Sequence, residues 1–317
     1  MSVSNPVLSE QYMRLLDKRL RKAWERPFSE LTEMVPEIYQ IMPSDSAWEE
    51  FFGVSSIPDI PEFTGVLDYL GVSPEWLTRI EPKEFAGGVQ MERKLHDDKK
   101  YKVMENWVEG LAEALIRTRE RYAVETFANG FSNAFTFMYS EEGVALFGAH
   151  TEKSGAAAQY TSGFTNNGTA ALSKSNVAAT YLTMRRFRGS IGQRIEIDPD
   201  TIIVPDALFD TACEIVGYDP RSGATSDKDP DTANHRINTQ YKRFKVIPWL
   251  RLDDYSTKSW FMVDSRQMKK HLYWLNRIER EYHMTVDYEN FMTKHSVYAR
   301  FGAGWDNWRF GYGNLVT

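Results

Sequence analysis

Between Lys99 and about Phe127 apolar residues return every three or four positions. Met104, Trp107, Val108, Leu111, Leu115 and Ile116 fall on one stripe, continued by Tyr122 and Phe127. A second row carries charge: Glu109, Glu113, Arg117, Arg121 and Glu125, with Glu113 placed to meet Arg117 four residues on. No proline interrupts the run. Asp97-Asp98 suit an N-terminal cap, and Asn129-Gly130 form a natural stop. At 1.5 Å per residue this predicts a helix about 40 Å long. Such a helix outruns a small domain, so its apolar stripe needs a sheet or another helix along its length. Trp107 and Leu111 are expected in that buried stripe.

The pattern elsewhere is more broken. Leu8 to Trp24 repeats apolar residues at helical spacing, and Pro27 to Met42 continues in the same style before Pro43, Pro58 and Pro61 punctuate an irregular stretch. This N-terminal region reads as an arm without an obvious core of its own. From Phe63 to His96, glycines and prolines mix with short apolar pieces, and Val89 to Leu95 alternates as a strand. A long, two-stranded, partly exposed loop is the reading. An isolated hairpin is marginal in water, so a neighbouring copy of the chain is its simplest brace. Thr151 to Thr169 reads as a mobile loop and Ala170 to Phe187 as a helix. Thr201 to Pro205 forms a buried strand, and Asp206 caps a helix running to Val216. Residues 217–234 are a polar loop. Phe244 to Leu250 and Ser259 to Val263 are strand-like, and Ser296 to Tyr312 looks like a hairpin of two aromatic strands. No internal repeat is visible.

Composition narrows the function classes. The chain has 317 residues and a net charge of −6, which argues against dense coating of nucleic acid, though a local basic patch remains compatible with it. Met184-Arg185-Arg186-Phe187-Arg188 is a dense basic cluster that reads as a solvated helix face or an acid-pairing site rather than a nucleic-acid contact. The single cysteine, Cys213, excludes a disulfide framework and reads as a structural thiol. No signal peptide and no run of ~18 apolar residues is present, so no membrane span is expected. The six histidines show no i, i+3 or i+4 pair, and His96-Asp97-Asp98 is a better helix cap than metal site. Ser173-Lys174-Ser175 is a weak Ser–Lys pair, and Gly302 and Gly304 suit a bulged hairpin better than a phosphate loop. No catalytic residue, cofactor or metal site is therefore expected. The aromatic content, 14%, suits extensive interfaces or a sugar-binding groove.

The order of elements resembles the Hong Kong 97-like capsid subunit of tailed bacteriophages, closest in flavour to Mu-like major head proteins. The carrying residues are the strand Val89 to Leu95, Asp97-Asp98 and the helix Lys99 to Phe127. They continue with Asp198 to Ala212, Ser259 to Asp264, Arg300 to Gly304 and Asp306 to Phe310, so the likeness covers roughly residues 60–317. The resemblance implies an α+β fold. An N-terminal arm would occupy 1–57, an extended loop 58–96 and a spine helix 97–130. An axial domain would occupy 131–264, peripheral strands 265–301 and a hairpin returning to the axial domain 302–317. It implies a non-enzymatic shell of copies grouped as pentamers and hexamers, assembled in the host cytoplasm and enclosing double-stranded DNA without sequence-specific binding. Portal, scaffolding and decoration proteins would be its partners. Trp76, Arg79 and Phe85 of the loop are expected at subunit contacts. Some relatives crosslink a loop lysine to an asparagine. Lys83 lies in this loop, but no acceptor pattern accompanies it, and no crosslink is expected. Scaffolding is expected from a separate protein. A tail or baseplate part, or a carbohydrate-active enzyme, are the alternative classes.

Overall fold

The computed structural model describes residues 6–63, 65, 67, 69–160, 162–226, 238–287, 289 and 292–317, with the side chains of 6–17 left aside. Its first half contains α1 (Pro6–Glu30), α2 (Val35–Ile38), β1 (Gln40–Pro43), β2 (Glu49–Val54), β3 (Pro74–Ile80), β4 (Lys83–Glu92), α3 (Arg93–Asp97) and α4 (Tyr101–Ala128). There follow β5 (Met138–Ser140), α5 (Ala156–Gln159), β6 (Asn167–Gly168), α6 (Lys174–Met184), β7 (Thr201–Val204), α7 (Phe209–Val216), β8 (Lys245–Pro248), β9 (Trp260–Val263), α8 (Ser265–His271), β10 (Leu272–Asp287), β11 (Met292–Trp305) and β12 (Gly311–Asn314). Three sheets result, ordered β1-β10-β11-β4, β6-β12-β9-β7-β8 and β2-β3-β5.

The long helix is α4, 28 residues and about 42 Å by its rise. It packs against β4 and β11 and carries α1 along its side. Its buried apolar positions, Met104, Val108, Leu111, Ala112, Leu115, Ile116, Ala123, Val124 and Phe127, form a stripe that Arg119 and Glu120 share. Trp107 does not join it and remains 43% exposed. At about 100° per residue, Trp107 lies about 60° from Met104 on the side away from Val108 and Ala112. The Asp97-Asp98 cap is also not formed. Asp97 ends α3, Lys99 takes a left-handed φ of 53°, and Lys100 precedes α4 with no side-chain cap bond.

The arm has more of its own chain to pack on than its pattern suggested. Leu20, Ala23 and Trp24 of α1 are buried. Arg19 and Arg26 pair with Glu105 and Glu109 of α4, both at 2.6 Å. α1 runs through Pro27 as one helix, with the Leu31 N–H donating to the Pro27 carbonyl. A missing N–H forfeits one bond, which packing of the helix face offsets. β1 then adds in parallel to β10, Gln40 facing Tyr273.

The loop expectation over 58–96 needs correction. β3 pairs with β2 and β5, whereas β4 pairs along its length with β11, Lys83 facing Phe301 and Glu92 facing Met292. The exposed excursion is thus the β2–β3 hairpin, and β4 belongs to the four-stranded sheet. The aromatic hairpin over Ser296 to Tyr312 is not formed either. β11 pairs with β10 and β4, then the chain crosses over Asp306–Phe310 and β12 joins β9 and β6. The segment 151–169 is pinned where it ends. The Asn166 side chain, fully buried, donates to the carbonyls of Leu146 and Gly311.

Local capping follows side-chain chemistry elsewhere. Ser173 caps α6 by accepting from Asn176 N–H, which gives that serine a structural use. Asp264 caps α8 by accepting from Arg266 and Gln267. Asp206 instead opens a short 3₁₀ turn and pairs with Arg221 at 3.1 Å. β7 and β9 are buried along their whole length, as central strands of a covered sheet require. Part of the predicted polar loop 217–234 lies outside the described residues.

Candidate subunit interface

β2 and β3 form an antiparallel ladder from Glu49↔Ile80 to Phe52↔Leu77, with an irregularity before Val54↔Pro74. Gly53 sits there because a Cβ would come within 2.8 Å of the Trp76 carbonyl. Beyond the ladder, Ser55 N–H donates to the Ser73 carbonyl at 2.9 Å and Ser55 Oγ accepts from Ser73 N–H at 2.9 Å. Past these bonds the chain enters an excursion broken by Pro58 and Pro61.

This tip is apolar and uncovered. Ile60 is 88% exposed, Phe63 71% and Tyr69 91%, and Ile57, Leu67 and Val72 are exposed with them. Phe52 and Val54 of β2 are exposed as well. Scattered exposed apolar residues are ordinary, whereas several gathered along one hairpin suit burial against a partner.

The root of the hairpin is held firmly by the body. Phe51 stacks on Tyr273 at 4.4 Å, and Arg79 lies 4.1 Å over the Trp48 ring. Trp76 Nε1 donates to the Thr151 carbonyl at 2.9 Å, while Lys153 Nζ sits 4.8 Å above the indole. Glu141 accepts from Leu77 N–H at 2.9 Å and from Lys153 Nζ at 2.8 Å, and the Lys153 bond, ahead of the Leu77 bond, holds its carboxyl below the usual range. Ser56 N–H donates to Ser190 Oγ at 2.8 Å. Beneath the root lies an open cavity of about 360 Å³ lined by Phe52, Trp76, Glu142, Glu152, Trp308 and Arg309 among others. Arg309 pairs there with the buried Glu152, whose carboxyl is pushed up by burial against the pull of that guanidinium. His150 stacks on Trp308 at 4.3 Å and meets Glu142 at 3.2 Å. These pairs satisfy one another and fasten the cavity wall.

The residues singled out from sequence separate into different places. Trp76 and Arg79 lie on β3 at the hairpin root. Phe85 faces inward from β4 and stacks on Phe301 at 4.4 Å, with Tyr122 at 5.0 Å, so it belongs to the subunit's own core. Strand alternation explains this, since Phe85, Val89 and Met91 share the face turned to the body. Leu111 is buried. The tip residues Ile57, Ile60, Phe63, Leu67 and Tyr69 were missed. Their signal is a run of apolar residues without helical or strand period, between prolines and a glycine. Among the described residues, no three His, Cys, Asp or Glu side chains converge to hold a metal ion, and no helix is long and apolar enough to cross a membrane.

The architecture is that of phage capsid subunits. A chain from Microbacterium phage Oxtober96 superposes with a TM-score of 0.54 at 9% identity, covering 90% of this chain and 92% of that one. The capsid of a native GTA particle gives 0.54 at 10% identity, covering 90% and 91%. The mature capsid of bacteriophage PhiM1 gives 0.54 at 10%, covering 91% and 88%. At such identities the likeness is one of fold, and that fold is the Hong Kong 97-like one. No curated protein matches the sequence. The phage capsid protein family model matches residues 76–314, most of the chain, and the chain belongs to that family. It is a structural protein of the virion that self-assembles into the capsid shell.

Proposed function

We propose that copies of this chain associate as pentamers and hexamers, each laying its β2–β3 hairpin across an adjacent subunit. The observation that carries this is the uncovered apolar tip: six large apolar residues between Ile57 and Val72 project from a hairpin whose root is rigid. Apolar surface of this kind is stabilised by removal from water, and a neighbouring copy is the partner that a closed shell supplies at every position. In this reading α4 and the four-stranded sheet form the peripheral part, and the five-stranded sheet with α6 and α7 forms the axial part at the capsomer centre. Of the expected arm over 1–57, α1 is seated on α4 and β1 on β10, and β2 belongs to the hairpin itself. The subunit carries no catalytic activity and forms no covalent crosslink through Lys83. Scaffolding and portal proteins act with it in the host cytoplasm, decoration proteins bind its outer face, and the shell encloses double-stranded DNA.

Negative-stain electron microscopy of the purified protein, alone and with its neighbouring gene products, tests this. Closed shells of uniform size, or rings of five and six, are expected. A monomer under every condition would remove the reading. A ladder of covalent multimers on a denaturing gel of assembled particles would remove the crosslink statement.

A further inference from the structure

The charge of this chain is unevenly placed. Residues 93–102 hold five Lys and Arg against two Asp, and residues 18–22 hold four more cations. Together these stretches carry +7 in a chain of net −6, so all the rest carries −13. The fold brings the two together. Arg19 of α1 pairs with Glu105 at 2.6 Å and lies 5.4 Å over the Tyr101 ring, which sets Lys18 and Lys22 beside the start of α4. The left-handed Lys99 turns the chain between α3 and α4 and leaves Lys94, Lys99, Lys100 and Lys102 exposed around that turn.

Six of these cations are unspent. Arg19 and Arg93 have carboxylate partners, at Glu105 and Asp97, and Arg21 is engaged as well. Lys18, Lys22, Lys94, Lys99, Lys100 and Lys102 are exposed and make no ion pair among the described residues. The basic cluster Met184–Arg188 behaves in the opposite way. Arg185 pairs with Asp198 at 3.6 Å, Phe187 is buried, and Arg188 lies over Tyr160 while donating to the Gly192 carbonyl. Like charges gathered without partners repel one another, so this face is set for an anionic ligand.

We propose that the α1–α3–α4 corner binds duplex DNA through its phosphates, and that this corner is the part of the subunit turned toward the enclosed genome. The proposal rests on the reading that the shell encloses DNA. The hairpin tip of a second copy, which carries two carboxylates, fits this face less well. Asp59 and Glu62 sit there among exposed Ile57, Ile60 and Phe63, which ask for an apolar seat. The corner presents lysines, with only Val103 and Trp107 as exposed large apolar neighbours on α4. Lysine acts on phosphate as a flexible point charge, which suits binding that ignores base sequence.

The test is fluorescence anisotropy of a labelled 30-base-pair duplex with the purified full chain, titrated over a range of salt. Each phosphate contact contributes about −0.9 to the slope of log K against log salt, so six lysines predict a slope of about −5. Replacing Lys99, Lys100 and Lys102 by Gln should flatten that slope by up to about 2.7. Replacing the same three by Arg should keep it. Gln at Lys258, Arg266 and Lys270, three cations elsewhere, should leave it unchanged. An unaltered slope in the first variant overturns the proposal, and so does equal flattening in the control. Parent-like DNA binding with failed assembly also overturns it and assigns the corner to a protein partner. Failure of the parent to form shells would strike at the capsid reading instead, while the anisotropy still reports on the corner.

Discussion

Replacing Ile60 and Tyr69 together by Ser separates what holds the subunit from what joins subunits. Ile60 is 88% exposed and Tyr69 is 91% exposed, so neither contributes appreciably to the core of its own chain. Surface substitutions of this sort stay within about 0.5 kcal/mol, which moves the melting temperature of the unassembled subunit by about 2 °C or less. Across an interface the magnitude is different. Burying an isoleucine side chain is worth about 2 kcal/mol, and a tyrosine ring, after the cost of its hydroxyl, about as much. Loss of both should weaken each contact by about 4 kcal/mol, or about a thousandfold in association. Light scattering against protein concentration reads this as a raised assembly threshold, with thermal unfolding on the same samples as the internal control. An unchanged threshold would refute the assignment of the tip. A melting temperature lowered by much more than 2 °C would refute it differently, by showing that the tip packs within its own chain.

Along α4, Leu111→Ala should cost about 2–5 kcal/mol in urea unfolding, while Trp107→Ala should stay within about 0.5 kcal/mol; equal losses would contradict the placement of the stripe. Trp76→Phe removes the bond to the Thr151 carbonyl but keeps a ring under Lys153, at a cost of about 1 kcal/mol. Faster amide exchange confined to β3 and its partners is the expected signature, and uniform change across α4 would count against it. Burial raises the Glu120 carboxyl above its usual value while it accepts from Met34 and Val35 N–H. The native state therefore keeps the extra proton between the unfolded and folded values, and stability falls as pH rises through that window. Glu120→Gln retains an acceptor without the charge and should abolish that fall; parent and variant curves that run parallel from about pH 4 to 8 would rule it out.

The long helix was legible because a period of 3.6 sustained over 28 residues has few competing readings. Its edge was not. Whether Trp107 is buried depends on where the sheet and α1 touch the cylinder, and the sequence places neither. The strand partners were illegible for a related reason. β4 alternates correctly, but alternation carries no information about which strand it meets, and its partner β11 lies some two hundred residues on. The arm was read as coreless although Leu20, Ala23, Trp24, Val35, Ile38 and Tyr39 are buried, because the residues they pack on are distant in sequence. The hairpin tip lacked any period at all, which is itself the pattern of a segment with no neighbour inside its own chain.

The aromatic residues carry the last point. Their abundance suggested interfaces, yet most of the largest ones are spent inside the subunit. Phe85, Phe301 and Trp274 stack in series at 4.4 and 4.9 Å, with Tyr39 closing on Trp274 at 5.6 Å. Trp24 and Tyr282 stack at 5.4 Å and fasten α1 to the far end of the sheet. Around Phe127, the rings of Phe147, Trp249 and Phe261 lie within 6.1 Å and join the two larger sheets' regions at the end of α4. Wide rings span the gaps left between a straight helix and twisted sheets, where each buries more area than an aliphatic side chain. Exposed apolar surface remains on the β2–β3 hairpin, at Ile57, Ile60, Phe63, Leu67 and Tyr69 among others. In the proposed arrangement, association draws on these exposed residues at every contact of the shell.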